Sequence, residues 1–249
     1  MAKRHYRRYS RPGRRSAEGS TPPDIGWHDF YWADSFALDD NTTPGPWVPT
    51  HGTGAGTLAV AGTPKYRTGQ AKWGGRGYMT FPTAATDGFY SGTGNLTQPF
   101  VTVVGVLATG APSGTNGKIM DGYDGGGVPG NRVFLDYQDT TIDQLRTSGG
   151  TTLSTGWSAA VGFNTVRLLE VTYDGASSDF SVDGSSVKSG AAGANSLDGL
   201  VIGILYDLSD KGFDTGQIAF LARIIPAALA AGRSSFLGWY NDYYNQASA

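Results

Sequence analysis

The chain has 249 residues, among them 38 glycines, 12% aromatic and 16% charged residues, no cysteine, and a formal net charge of −2. Without cysteine there is no disulfide framework, thiolate metal site or thiol nucleophile. No run of about 18 apolar residues is present to span a membrane, and long helices need more Glu, Lys, Leu and Ala than most of this chain supplies.

The first segment is electrostatically distinct. Residues 1–15 hold Lys3, Arg4, Arg7, Arg8, Arg11, Arg14 and Arg15 and no acid, which leaves 12 of the 19 basic groups to face all 21 acidic ones. A polar linker follows and ends at Pro22-Pro23, so residues 1–23 read as an arm and residues 24–249 as one folded domain. No apolar stretch follows the basic run, so it does not read as a secretory signal. A solvated tail, a nucleic-acid arm and a protein anchor are the three roles open to it. His5, Tyr6 and Tyr9 interleave the cations and suit stacking on bases, but the acidic body repels nucleic acid. Arginine forks dock well on carboxylates, which makes a protein partner the expected one and nucleic acid the weaker alternative.

From Trp27 onward the chain turns aromatic and strand-like. Candidate strands lie at 77–81, 100–107, 132–137, 166–173, 180–182, 200–205 and 216–224, each bounded by Gly, Pro, Asp, Asn or Ser, as separate short strands should be. Glycine supplies positive φ in the turns, while threonine and aromatic side chains fit a pleated surface. The Asp183-Gly184 pair between two alternating runs predicts a tight type I′ hairpin. After Pro226, Ala227 to Ala231 favours a helical turn that Gly232 is expected to end. A second helix is expected to start at Ser234 or Ser235, with Phe236, Trp239, Tyr240 and Tyr243 on one face, packing on the edge of the β structure.

Three passages carry a family resemblance. They are the strand Gly216-Gln217-Ile218-Ala219-Phe220-Leu221 with its Pro226 break and aromatic helix, the run Val171-Thr172-Tyr173-Asp174-Gly175 ahead of Val182-Asp183-Gly184, and the segment Ala71 to Thr80. Together they resemble laminin-G-like, concanavalin A-like jelly rolls, especially those of bacteriophage virion proteins, although Trp73 and Gly74 replace the usual Phe and Asp of an early strand pair. The resemblance implies an all-β, two-sheet antiparallel jelly-roll sandwich with a basic N-terminal arm and a C-terminal helix within 226–245. It also implies a multi-copy structural or accessory virion protein, as a minor tail or capsid decoration protein held to other virion proteins by its arm. The alternative is a carbohydrate-binding module for host-surface glycans.

The residues give catalysis little to work with. Some jelly rolls of this architecture are glucanases with an E-x-D-x-x-E strand, and retaining hydrolysis needs two carboxyls about 5 Å apart. Glu18 and Glu170 are the only glutamates, and Glu170 is expected to face outward or to pair with Arg167 or Arg223. His5, His28 and His51 have no metal spacing. The expected protein is therefore non-enzymatic, with a glycan hydrolase ranked last. Calcium is the candidate cofactor, because it seeks loop carboxylates and carbonyls and Asp121 to Gly127 and Asp207 to Asp214 are acidic, loop-like stretches. Turn chemistry alone also explains them. If a glycan or calcium rim exists, Asp121, Tyr123 and Asp124 are its candidates. Trp73 is a further aromatic candidate, expected in the core.

Overall fold

In the computed structural model the described residues are 21–82, 86–111, 116–123, 132–138, 144–156, 160–208 and 212–244. The arm, with Lys3, Arg4, Arg7, Arg8, Arg11, Arg14 and Arg15, lies outside them, as does Asp124.

Sixteen strands and one long helix make up the described residues, beside two short 3-10 turns. In chain order the first eight strands are β1 (Asp29–Trp32), β2 (His51–Gly52), β3 (Ala59–Ala61), β4 (Lys65–Arg67), β5 (Tyr78–Thr80), β6 (Gly88–Ser91), β7 (Phe100–Ala108) and β8 (Asn116–Asp121). The remaining eight are β9 (Phe134–Gln138), β10 (Gln144–Ser148), β11 (Thr152–Gly156), β12 (Arg167–Tyr173), β13 (Ser178–Val182), β14 (Ser185–Gly190), β15 (Leu200–Ile202) and β16 (Gly216–Ile224). The helix α1 is Pro226–Tyr244.

Two antiparallel sheets face each other. The first runs β14-β13-β12-β7-β16-β1-β2, with β5 paired to β16 and β4 paired to β5, and the second runs β11-β10-β9-β8-β15-β6-β3. Strand β7 explains the layering. Phe100, Val104, Val106 and Ala108 enter the core between the sheets, while Val101, Val103 and Leu107 enter a second core on the outer face. A strand apolar on both faces must be covered on both, and here α1 supplies the second cover. Gly105 fits that arrangement, since a Cβ there would lie 2.6 Å from the Phe220 ring.

The hairpin expected at Asp183-Gly184 is present: φ is 50° and 81° at these residues, and Val182 pairs with Ser185. The helical stripe packs on the β structure as expected, but on the outer face of the central strands β7 and β16 and not on the sheet edge. Phe236, Tyr240, Tyr243 and Tyr244 are buried against Trp27, Phe30, Trp32 and Phe220. The expected break at Gly232 is absent, because α1 is one helix of 19 residues. Gly232 instead gives Ile25 room: a Cβ there would come within 2.4 Å of the Ile25 Cβ. No helix among the described residues is long and apolar enough to cross a membrane.

Candidate functional site

With α1 seated on the first sheet, the outer face of the second sheet is the one that no helix of the described residues covers. Its centre is a row set by strand register, in which Lys118 on β8 stands opposite Asp136 on β9, Asp136 opposite Arg146 on β10, and Arg146 opposite Ser154 on β11. A second row places Tyr90 opposite Val201 and Val201 opposite Asp121.

Strict alternation would send Lys118 and Asp121 to opposite faces, since they are three residues apart. A register shift between Lys118 and Met120 inserts one extra residue, so Ile119 and Met120 both enter the core and both charged groups turn outward. Re-aiming a side chain in this way is a common use of a β-bulge.

The charges are closely paired. Lys118 Nζ donates to Asp136 Oδ2 at 2.5 Å, and Arg146 forks onto the same carboxylate at 2.9 and 2.8 Å. Arg132 forks onto Asp121 at 2.8 and 2.6 Å. Phe134 lies beneath this group, with its ring centre 4.0 Å from Lys118 Nζ and 5.2 Å from the Arg132 guanidinium, and Tyr206 lies 4.5 Å from the same guanidinium. Cations over aromatic faces gain more as water is removed. Lys118 is only 3% exposed, and burial pushes its ammonium below the ordinary lysine range against the pull of Asp136. Burial pushes the Asp121 carboxyl up, against the Arg132 fork that favours its ionised form. Tyr90 and Tyr123, both partly exposed, meet edge to face at 5.0 Å.

The sequence candidates therefore separate. Asp121 and Tyr123 reach this face, but Asp121 is not a free rim residue. It ends a strand, is fully buried, and both its oxygens accept from Arg132. A calcium ion at Asp121 would have to displace that guanidinium. No group of three or more His, Cys, Asp or Glu suited to a metal occurs among the described residues. Trp73 is a core residue, fully buried, with Nε1 donating to Gln217 Oε1 at 2.7 Å and its ring 5.5 Å from Tyr244. Glu170 pairs with neither expected arginine. Arg233 from α1 holds it, while Arg167 pairs with Asp183 and Arg223 with Asp29.

Lys118, Arg132, Phe134, Asp136, Arg146 and Tyr206 carry no signal as a group in the sequence. The Lys118–Asp136 spacing of 18 residues becomes a contact only through the β8–β9 pairing. The alternation along β9 puts Leu135 and Tyr137 in the core and Phe134 and Asp136 on the outer face.

No protein-family model and no curated protein matches this chain. Solved structures similar to it include a Trypanosoma rangeli sialidase in complex with sialic acid, at 12% identity and TM-score 0.52 over 87% of this chain and 34% of that one. The same sialidase as a covalent intermediate with 2,3-difluorosialic acid gives 12% identity and TM-score 0.53 over 88% and 33%. Domain 4 of AbnA, an extracellular GH43 arabinanase of Geobacillus stearothermophilus in complex with arabinotriose, gives 14% and 0.51 over 79% and 91%. The chain spans about a third of the length of the sialidases. At these identities the likeness is one of fold, a two-sheet β-sandwich.

Proposed function

We propose that this chain is a non-catalytic carbohydrate-binding domain that holds a glycan on the outer face of its second sheet. The observation that carries this reading is the pair of partly exposed guanidiniums of Arg132 and Arg146, held in place by the buried Asp121 and Asp136 and set beside the partly exposed rings of Tyr90, Tyr123, Phe134 and Tyr206. Ordered donors next to aromatic faces suit a sugar, which presents hydroxyls at its edge and C–H groups on its face. Both carboxylates are already held by cations, which suits binding better than general acid–base chemistry. Supporting this, a sandwich of similar fold has been solved with arabinotriose. Fold alone does not assign function, so the residues carry the proposal. Calcium has no part in it, because Arg132 occupies Asp121.

A glycan array with the purified chain tests it. Binding is expected to persist in chelator and to fall in Arg132→Gln and Tyr123→Ala, with no hydrolysis of the bound glycan. A blank array from folded protein, or turnover of a bound glycan, overturns the reading.

The basic arm extends the proposal to location. Seven cations ahead of an acidic body suit docking on carboxylates of another subunit, and we place the domain as a multi-copy adhesive accessory of a bacteriophage virion. Deleting residues 1–20 should leave a folded domain that no longer joins its assembly. Normal incorporation of the truncated protein removes the anchor role. A salt-sensitive shift of duplex DNA, lost with the arm, replaces it with nucleic-acid binding.

A further inference from the structure

A groove of about 600 Å³ opens on the other side of the sandwich, where α1 leaves the turn end of β12, β13 and β14 uncovered. Val166, Leu168 and Leu237 are its apolar lining, and Arg167, Asp183 and Arg233 are its charged lining. The volume lies within the range of small-molecule sites.

Tyr240 offers this groove a hydroxyl that the fold itself does not use. It is 5% exposed and lines this groove, and its hydroxyl makes no hydrogen bond among the described residues. Its ring is used, packing on Phe220, Phe236 and Tyr244. The hydroxyl is not. Burial raises its pKa, with the Asp183 charge adding to this and the Arg167 charge opposing it, so it sits within the field of that ion pair without bonding to it.

The charges around the groove cancel. Arg167 Nη1 meets Asp183 Oδ2 at 2.6 Å, and Arg233 holds Glu170 at 2.5 and 2.8 Å. Asp183 also accepts from the Leu168 amide at 2.9 Å, and Arg167 Nε donates to the Val161 carbonyl at 2.8 Å. An anion would find its cations already neutralised, and a cation its carboxylates already taken. What remains is a hydroxyl, the unused guanidinium N–H groups and the Asn241 amide, next to an apolar wall. That set fits a neutral ligand with hydroxyls on one edge and C–H groups on the other.

We infer that this groove is a second ligand site, separate from the outer face of the second sheet, which takes a neutral sugar of one or two rings with a hydroxyl bonded to Tyr240. The site shares its ligand class with the proposed function but none of its residues. The domain would then hold glycan on both sides, and two weak sites on one rigid body gain by effective concentration.

The test uses the full chain and four neutral probes: methyl β-galactoside, lactose, cellobiose and arabinotriose. Tyr240→Phe removes only the unpartnered hydroxyl and no bond of the fold, and Leu237→Trp fills the groove. Titration followed by amide NMR should show at least one probe shifting residues 165–168 and 183–185. Tyr240→Phe should weaken that binding about fivefold, the value of one hydrogen bond, and Leu237→Trp should abolish it. Arg132→Gln should leave it unchanged. No shift in these residues with any probe overturns the site, as does binding that Tyr240→Phe leaves intact. Loss in Arg132→Gln with Tyr240→Phe intact overturns the groove while keeping the site on the second sheet.

Discussion

Arg223 on β16 and Asp29 on β1 stand directly opposite each other across an antiparallel pair, 194 residues apart in sequence and both fully shut off from solvent. Arg223 Nε donates to Asp29 Oδ1 at 2.9 Å, Nη2 donates to Oδ2, and Nη1 reaches the Gly94 carbonyl at 3.2 Å. Asp29 Oδ2 also accepts from the Ala55 amide at 3.0 Å. One ion pair thus ties the first described strand, the last strand and two loops at one end of the sandwich.

Breaking this pair from one side strands a buried charge. Asp29→Ala is expected to destabilise the domain by about 3–5 kcal/mol, the range for removing one partner of a buried pair. The double variant Asp29→Leu/Arg223→Met should recover part of that loss, because no charge is then left unpaired. Urea unfolding of the two variants checks both, and an Asp29→Ala protein as stable as the parent removes the pair from the account of stability.

Gly232 gives a prediction whose sign decides between two explanations. Alanine is better than glycine inside a helix by about 1 kcal/mol, so helix propensity alone makes Gly232→Ala stabilising. Its Cβ would meet Ile25 Cβ at 2.4 Å, and crowding of that kind costs about 1–3 kcal/mol. Gly232→Ala is expected to destabilise, and Gly232→Ala with Ile25→Ala should regain helix propensity while losing the Ile25 contact. A more stable single variant shows that the contact is looser than described.

The buried tyrosines set the alkaline limit. Burial first, with neighbouring charges after it, raises the pKa of Tyr31, Tyr173, Tyr240, Tyr243 and Tyr244 above the ordinary phenol. A group with a raised folded pKa keeps its proton in the native state and loses it on unfolding. Its stabilisation is therefore present below about pH 10 and lost as pH rises through the folded value. Phenolate absorbance should show these residues ionising together with unfolding, measured against circular dichroism. Ionisation of all tyrosines ahead of unfolding contradicts their burial.

Glu170 tests the non-catalytic reading. Its carboxylate is buried and accepts both arms of the partly exposed Arg233, so Glu170→Gln, which keeps the shape and one acceptor, should cost about 1–3 kcal/mol. It should change no glycan turnover, because none is expected. Hydrolysis of β-glucan or peptidoglycan by the parent protein, abolished in Glu170→Gln, assigns a catalytic role instead.

Period-two patterning, Gly-bounded runs and the Asp183-Gly184 pair determined an all-β fold with a tight hairpin and a helix packed by its aromatic face, because these signals act over a few neighbouring residues. The strand β8 was harder to see: Gly117, Lys118 and Asp121 interrupt its apolar pattern, and its bulge breaks the alternation that marks a strand. Gly232 carried the local signature of a helix end, yet α1 runs through it because Ile25 packs there from the far end of the chain. Partner choice among charges was beyond local reading altogether. Glu170 had Arg167 three residues away and took Arg233, while Lys118, Asp136 and Arg146 form one group only where β8, β9 and β10 lie side by side. The sequence by itself determined which residues are polar and which faces they alternate between. Only the tertiary structure decided which polar groups meet, because strand order and register, not spacing along the chain, set distance across a sheet.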